Sequence, residues 1–175
     1  DVDVFDHLTV VDYGDAEIPA EILEKRPPNV QDILEAQEAV EKKVNEVLDA
    51  GAIPIVIGQN SPPSSYGVSK PILERTDGDV GMVSLDTHWD ARELDSLAMD
   101  PRIAGGGNWL YKMYEWHENA TRENLVELGI RGFGDALEDR TLLEDTHHVP
   151  MWEIKENGID WTCEQLDQAY DGTDA

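Results

Sequence analysis

The sequence has little that would cross-link the chain or insert it into a membrane. It contains one cysteine, Cys163, so an intramolecular disulfide is excluded. No apolar run approaches the ~20 residues that a membrane-spanning helix needs. The first residues show neither the basic nor the apolar region of a secretion signal. We therefore expect a cytoplasmic protein that does not act at a membrane.

The sequence is also poor in positive charge. It has 13 Lys and Arg residues against 38 Asp and Glu residues, which gives a formal net charge of −25. This charge repels nucleic acid and anionic membrane surfaces, so neither is expected as a partner. Two interpretations stay open: a solvated acidic surface suited to high salt, or a field that attracts a cationic substrate or metal ion.

What the chain does have is the composition of a folded domain. Its 175 residues are 40% hydrophobic, which suits one domain with a real core. Apolar residues from Val30 to Leu48 recur at steps of three and four and predict an amphipathic helix, which Gly51 closes. The same criteria predict helices over 68–75, 109–116, 137–145 and 162–169, the last with Thr162 as its N-cap.

Short apolar runs alternate with these helices. They predict strands over residues 7–15, 52–58, 80–85, 124–130 and 149–154. A continuous apolar run such as 52–58 is typical of a buried parallel strand. The alternation predicts the α/β class, a three-layer α/β/α sandwich with a mostly parallel sheet and its chemistry at the carboxyl ends of the strands.

One polar segment, Asp86-Thr87-His88-Trp89-Asp90, directly follows the predicted strand 80–85. In extended backbone alternate side chains face the same way, so Asp86, His88 and Asp90 can converge. Two carboxylates and an imidazole suit Mn²⁺, Fe²⁺, Ni²⁺ or Zn²⁺ better than a soft metal. The alternative is a polar loop whose acids cap backbone groups. The remaining histidines are interpreted as surface or structural residues.

These segments resemble a known family, the ureohydrolases, which include arginases, agmatinases, guanidinobutyrases and guanidine hydrolases. VGMVSLDTHWDAR resembles the family's strand and Asp-Ala-His-x-Asp motif. IPIVIGQNS is similar to the strand that ends in Gly-Gly-Asp-His-Ser, and NLVELGIRG is similar to the family's next strand. DTHWD followed by MDPRIAGGGNWLYKMYE most resembles the branch near the guanidine and guanidinobutyrate hydrolases.

The resemblance implies an arginase-like fold and an amidinohydrolase activity. The reaction would convert a guanidino compound of the agmatine, guanidinobutyrate or guanidine type to urea plus an amine or ammonia. Two Mn²⁺ or Ni²⁺ ions would share a hydroxide that attacks the guanidinium carbon. By position, Asp86, His88 and Asp90 carry over as metal ligands, with His88 and Asp90 also as catalytic residues. Relatives are commonly trimers or hexamers, which implies a homo-oligomer.

The sequence departs from the family pattern in two loops. Ser61 stands where the family has a ligand histidine, which implies that one of the two metal sites is weakened or lost. Three glycines at 105–107 replace a Ser-His-Gly segment, and Asn108 and Trp109 become candidates for binding a small planar cation by hydrogen bond and cation–π contact.

The resemblance also implies that the chain is shorter than a typical family member. It covers the middle half to two-thirds of a family member, so residues 1–175 are expected to form one incomplete domain, either a fragment or a degenerate chain. Two other functions stay open. One is a non-catalytic subunit that assembles with an active homologous subunit, and the other is a hydrolase of a related amide or amidine that uses one metal.

Overall fold

The structure is a computed structural model that describes residues 3–58, 62–91, 100–131 and 146–175. Its regular elements alternate between helix and strand. After a short 3-10 helix (Val4–Asp6), they are α1 (Ala20–Glu24), α2 (Val30–Asp49), α3 (Pro62–Arg75), β1 (Met82–Leu85), α4 (Trp109–Trp116), β2 (Leu125–Leu128), β3 (His147–Val149), α5 (Met151–Asn157) and α6 (Ile159–Tyr170). None of these described helices is long and apolar enough to cross a membrane.

Helix α2 begins with a reciprocal cap. The Asn29 side chain accepts a hydrogen bond from the Asp32 amide at 2.9 Å, and the Asp32 carboxylate accepts one from the Asn29 amide at 2.7 Å. The helix ends before Gly51, whose φ of +71° lies in the left-handed region that glycine adopts without strain. The sequence prediction of this helix is therefore confirmed, and both of its ends have a local cause.

Helices α2 and α3 pack closely against each other. Val40 and Val44 are buried on α2, and a Cβ atom at Gly67 of α3 would lie 3.3 Å from the Gln37 carbonyl oxygen. The Lys70 ammonium lies 2.8 Å from the carboxylate of Glu41, which joins the same two helices. Gly67 therefore allows helices α2 and α3 to lie close together, and a larger side chain there would push them apart.

The three described strands form a parallel sheet in the order β1-β2-β3. Met82 pairs with Leu125 and Leu85 with Leu128, while Val126 pairs with His147. Parallel strands need crossover connections, so both faces of such a sheet are covered by helices. The α/β fold class is confirmed by this arrangement.

Each face of the sheet has its own apolar core. On one face, Leu125 packs with Leu73 of α3 and with Leu110 and Met113 of α4. On the other face, Val126, Leu128 and Val149 pack with residues of α5 and α6, namely Ile154, Trp161 and Leu166. Because alternate residues of β2 face opposite ways, this one strand contributes to both cores.

Two predicted strands are wrong in this structure. Residues 7–15 and 52–58 belong to no strand, and most of their apolar side chains are exposed. Ile53 is 89% exposed and Ile57 is 96% exposed, the opposite of the burial expected for a central strand. An apolar β-branched run becomes a strand only where another strand offers its hydrogen-bonding edge, and the composition of the run does not contain that information.

Other boundaries also differ from the predictions. The run 149–154 is not one strand, because β3 ends at Val149 and Pro150 precedes the helix α5. Thr162 is not an N-cap: it lies inside α6 and donates its hydroxyl hydrogen to the Gly158 carbonyl at 2.9 Å. The predicted helix over 137–145 lies outside the described residues.

Replacing Asn29 tests the cap of α2. We expect Asn29→Ala to lower the free energy of unfolding by about 1 kcal/mol, because the Asp32 amide loses its acceptor. Urea denaturation followed by circular dichroism measures the change. The exposed Glu38→Ala on the same helix is the control and should shift the unfolding midpoint much less. Equal midpoints for wild type and Asn29→Ala would contradict the role of the cap.

Candidate functional site

The candidate site is the loop of residues 86–90, which follows the carboxyl end of β1. The loop lies beside the end of β2, because β1 and β2 are parallel and paired up to Leu85 and Leu128. Backbone bonds attach it to its surroundings: the Arg131 amide donates to the Thr87 carbonyl at 3.3 Å, and the Leu110 amide donates to the Asp90 carbonyl at 3.2 Å. The loop is therefore placed where open α/β sheets bind ligands.

Asp86 and His88 form a carboxylate–imidazole pair within this loop. The Asp86 Oδ1 atom accepts a hydrogen bond from the His88 amide at 2.8 Å and lies 3.1 Å from His88 Nδ1. The first contact is an Asx turn, which bends the chain immediately after the strand. The second holds the imidazole ring through Nδ1, and 60% of the His88 side chain is accessible to solvent.

The Asp90 side chain has a different hydrogen-bond partner from the Asp86–His88 pair. Its backbone has φ of +49°, a left-handed conformation that few residues other than glycine, asparagine and aspartate adopt. Its Oδ2 atom accepts a hydrogen bond from the Trp109 indole at 3.2 Å, which ties it to the start of α4. The predicted convergence of three side chains requires an extended backbone. The structure instead has a bend at residues 87–88 and a left-handed conformation at Asp90.

The described residues do not bring three metal-binding side chains together. Across residues 3–58, 62–91, 100–131 and 146–175, no group of three His, Cys, Asp or Glu side chains is close enough to hold a metal ion. Ser61, which stands where the resemblance places a ligand histidine, lies outside this part of the chain. The metal-ligand roles of Asp86, His88 and Asp90 stay predictions.

The two candidate substrate-binding residues have different environments. Asn108 is 1% exposed, and its Oδ1 atom accepts the Gly105 amide at 2.5 Å, so its amide group stabilises the glycine turn before α4. Trp109 is half-buried, and besides its bond to Asp90 it lines a cleft of about 490 Å³ between α3 and β1. Trp109 therefore contacts the candidate loop and also lines this cleft.

Sequence reasoning missed an acidic residue in the middle of β2. Glu127 is 0% exposed, and neither of its carboxyl oxygens has a hydrogen-bond partner among the described residues. Burial is the main cause that raises the pKa of Glu127 to about 9, and the negative charges of Asp90 and Asp86 contribute to the same rise. The signal in the sequence was a single acid inside the apolar run NLVELGI.

A histidine outside the loop is also more than a surface residue. His117 follows α4, and its Nε2 atom lies 2.7 Å from the hydroxyl of the buried Tyr66 on α3. Partial burial lowers the pKa of His117, which favours the neutral ring. The pair connects α3 to the end of α4, and no described contact joins it to the loop 86–90.

Comparison with known proteins decides the family. The model of the arginase family matches residues 1–175, the whole of the chain. The chain belongs to the arginase family. The resemblance noted in the sequence is therefore confirmed, and with it the arginase-like fold.

Individual relatives match this arginase-family chain at low identity. It is 27% identical to the guanidinobutyrase of Pseudomonas aeruginosa over 138 residues, which are 77% of this chain and 37% of the enzyme. The arginase of Bacillus subtilis superposes with a TM-score of 0.75 at 22% identity, covering 98% of this chain and 59% of the arginase. A formiminoglutamase variant of Trypanosoma cruzi, solved with Mn²⁺, gives a TM-score of 0.63 at 26% identity, covering 79% and 44%. The chain thus spans between 37% and 59% of the length of these relatives.

The burial of Glu127 predicts a dependence of stability on pH. Its pKa of about 9 in the folded protein exceeds the ~4.3 of an unfolded chain, so between these values only the folded state holds the proton. Stability should therefore fall as the pH rises from 5 to 9, by up to about tenfold in the folding constant per pH unit. Thermal unfolding of the metal-free protein across this range measures the fall.

The contribution of Glu127 is separated by comparing variants. Glu127→Gln, which carries no titrating group, should remove most of the decline in melting temperature between pH 5 and 9. Glu123→Gln, at an exposed position just before β2, should leave it unchanged. Parallel curves for wild type and Glu127→Gln would contradict a raised pKa for Glu127.

Proposed function

We propose that the full-length protein hydrolyses a guanidino compound, of the agmatine, guanidinobutyrate or guanidine type, to urea plus an amine or ammonia. The observation that carries the proposal is the match of the entire chain to the arginase family. The similarity to a guanidinobutyrase supports a hydrolase that acts on linear amidines. The loop 86–90 supplies carboxylates and an imidazole at the end of a parallel strand, which is the chemistry this reaction needs.

The donor set fits a hard or borderline divalent cation. Asp86 and Asp90 offer carboxylate oxygens, His88 offers a neutral ring nitrogen, and the described loop contains no thiolate. We propose that these three residues hold Mn²⁺ or Ni²⁺, and the formiminoglutamase solved with Mn²⁺ supports manganese. When bound, the metal would lower the pKa of water and so supply a nucleophile for a poor electrophile, the guanidinium carbon.

The residues of this chain would orient the reacting groups. Asp86 holds the His88 ring through Nδ1, which presents Nε2 as the free nitrogen. Trp109 fixes the Asp90 carboxylate, because its indole N–H donates a hydrogen bond to Asp90 Oδ2. The net charge of −25 favours the approach of a cationic guanidino substrate over that of an anion.

A second candidate function is a non-catalytic subunit that pairs with an active homologous subunit. The observation that favours it is the separation of Asp90 from the Asp86–His88 pair in the described structure. Either function is compatible with a homo-oligomer or a mixed oligomer, and we propose a trimer or hexamer from the family resemblance. The metal content and the activity of the full-length protein separate the two functions.

Replacing Asp86 tests the assigned chemistry. Full-length protein loaded with Mn²⁺ should release urea from agmatine, guanidinobutyrate or guanidine. We expect Asp86→Ala to lower kcat/KM by more than about 100-fold, since loss of even an outer partner of a metal ligand costs about 10- to 100-fold. A colorimetric urea assay with elemental analysis of bound metal measures both effects.

The control is Asp77→Ala, which removes an exposed carboxylate from the turn before β1 and should leave urea release unchanged. Unchanged activity in Asp86→Ala would rule out the role of Asp86. Two ions per chain together with urea release would support the hydrolase. No metal and no activity alone, with urea release only in a mixture with a homologue, would support the non-catalytic subunit.

A further inference from the structure

Helix α4 is attached to neighbouring elements at both of its ends. At its start, the Leu110 amide donates to the Asp90 carbonyl at 3.2 Å, and the Trp109 indole donates to the Asp90 carboxylate. At its end, the Nε2 atom of His117 lies 2.7 Å from the Tyr66 hydroxyl on α3. The second attachment joins a titrating ring to a buried phenol, so its strength depends on the protonation state of His117.

The hydroxyl of Tyr66 relies on this ring. Tyr66 is 4% exposed, and within the described part of the chain its hydroxyl contacts no hydrogen-bond partner other than His117. The Tyr66 ring also packs edge-on against Trp116, with the ring centroids 5.1 Å apart, so the phenol lies against the last turn of α4. A buried hydroxyl that loses its partner carries the full cost of its desolvation.

Protonation of His117 changes what this bond can do. A neutral imidazole with its hydrogen on Nδ1 accepts the Tyr66 hydroxyl hydrogen at Nε2. A protonated ring carries hydrogen on both nitrogens, so Nε2 can only donate, and the Tyr66 hydrogen is left without an acceptor among the described residues. The neutral ring is therefore the form that binds α3.

The charges around the pair do not reverse this preference. They come from three helices, namely Glu74 and Lys70 on α3, Glu41 on α2, and Lys112 and Glu115 on α4. Burial is the largest influence and lowers the pKa of His117 below its ordinary value of 6.5, while Glu74 raises this pKa and Lys70 lowers it. As the pH falls below about 6.5, a released His117 ring therefore takes up a proton before a bound one does.

We propose that the His117–Tyr66 bond is a pH-sensitive latch, which holds the end of α4 on α3 while His117 is neutral and releases it when the ring is protonated. The His117 amide donates to the Met113 carbonyl at 3.0 Å and closes the last turn of α4, so displacement of His117 opens that turn. The same helix contains Trp109, which contacts the loop 86–90. The inference requires no metal ion and is independent of the proposed function.

Hydrogen exchange of the full-length protein at pH 8 and pH 5 tests the latch. The measured quantity is the protection factor of the amides of residues 113–117, which corrects for the pH dependence of the intrinsic exchange rate. We expect this factor to fall by about fivefold at pH 5, which corresponds to the loss of one net hydrogen bond. Helix α6, on the other face of the sheet, should keep its protection.

Two variants separate the bond from other effects of pH. His117→Gln keeps a side-chain acceptor that does not titrate, so the protection of α4 should be the same at both pH values. Tyr66→Phe keeps the packing against Trp116 without the hydroxyl, so protection should be low already at pH 8 and should fall no further. His7→Gln, at an exposed position, is the matched control and should behave as wild type. Circular dichroism shows that each variant folds.

The outcomes are read from differences between variants, because the effect of Glu127 on overall stability is common to all of them. A loss of protection at pH 5 in wild type that is absent from both His117→Gln and Tyr66→Phe supports the latch. Equal protection of wild type at the two pH values overturns it, as does the same loss in His117→Gln or in Tyr66→Phe. No activity is measured, so failure of the proposed function would leave this result unaffected.

Discussion

The candidate site depends on the parallel pairing of β1 with β2. Parallel strands bring their carboxyl ends to one edge, so the pairing places the loop after Leu85 beside the end of β2. The pairing also sets the register in which Ser84 lies opposite Glu127. A shift of one residue would turn Glu127 to the other face of the sheet, into the core around Val149. The residues that surround the loop therefore depend on the register of the sheet.

The loop itself is shaped by hydrogen bonds to its own acids. Asp86 forms an Asx turn with His88, and Asp90 takes a left-handed conformation while accepting a bond from Trp109. These interactions hold the two carboxylates in different directions.

The parts of the fold that follow from local sequence were predictable. Asn29 caps the start of helix α2, and Gly51 follows its end, so both ends of the helix are visible in the sequence. The strand within NLVELGI has the apolar character of a central strand. The run 52–58 has the same character and forms no strand, because pairing depends on residues distant in the sequence.

The candidate site was predictable to a similar extent. The DTHWD motif and its place after β1 could be read directly, since both are local. The bend at residues 87–88 and the direction of Asp90 could not, because they depend on contacts with α4. Glu127 was missed because it lies on a different strand, and only the register connects it to the loop.

The exposed isoleucines at positions 53, 55 and 57 have a consequence for the behaviour of the protein in solution. An apolar segment that pairs with no strand among the described residues is a template for association between chains. At neutral pH the net charge of −25 opposes non-specific association between copies of the chain. Near the sequence isoelectric point of about 4.2, that repulsion vanishes while the isoleucines stay exposed. The carboxylates of this chain therefore contribute to its colloidal stability, and we expect mild acid to favour association through the same segment.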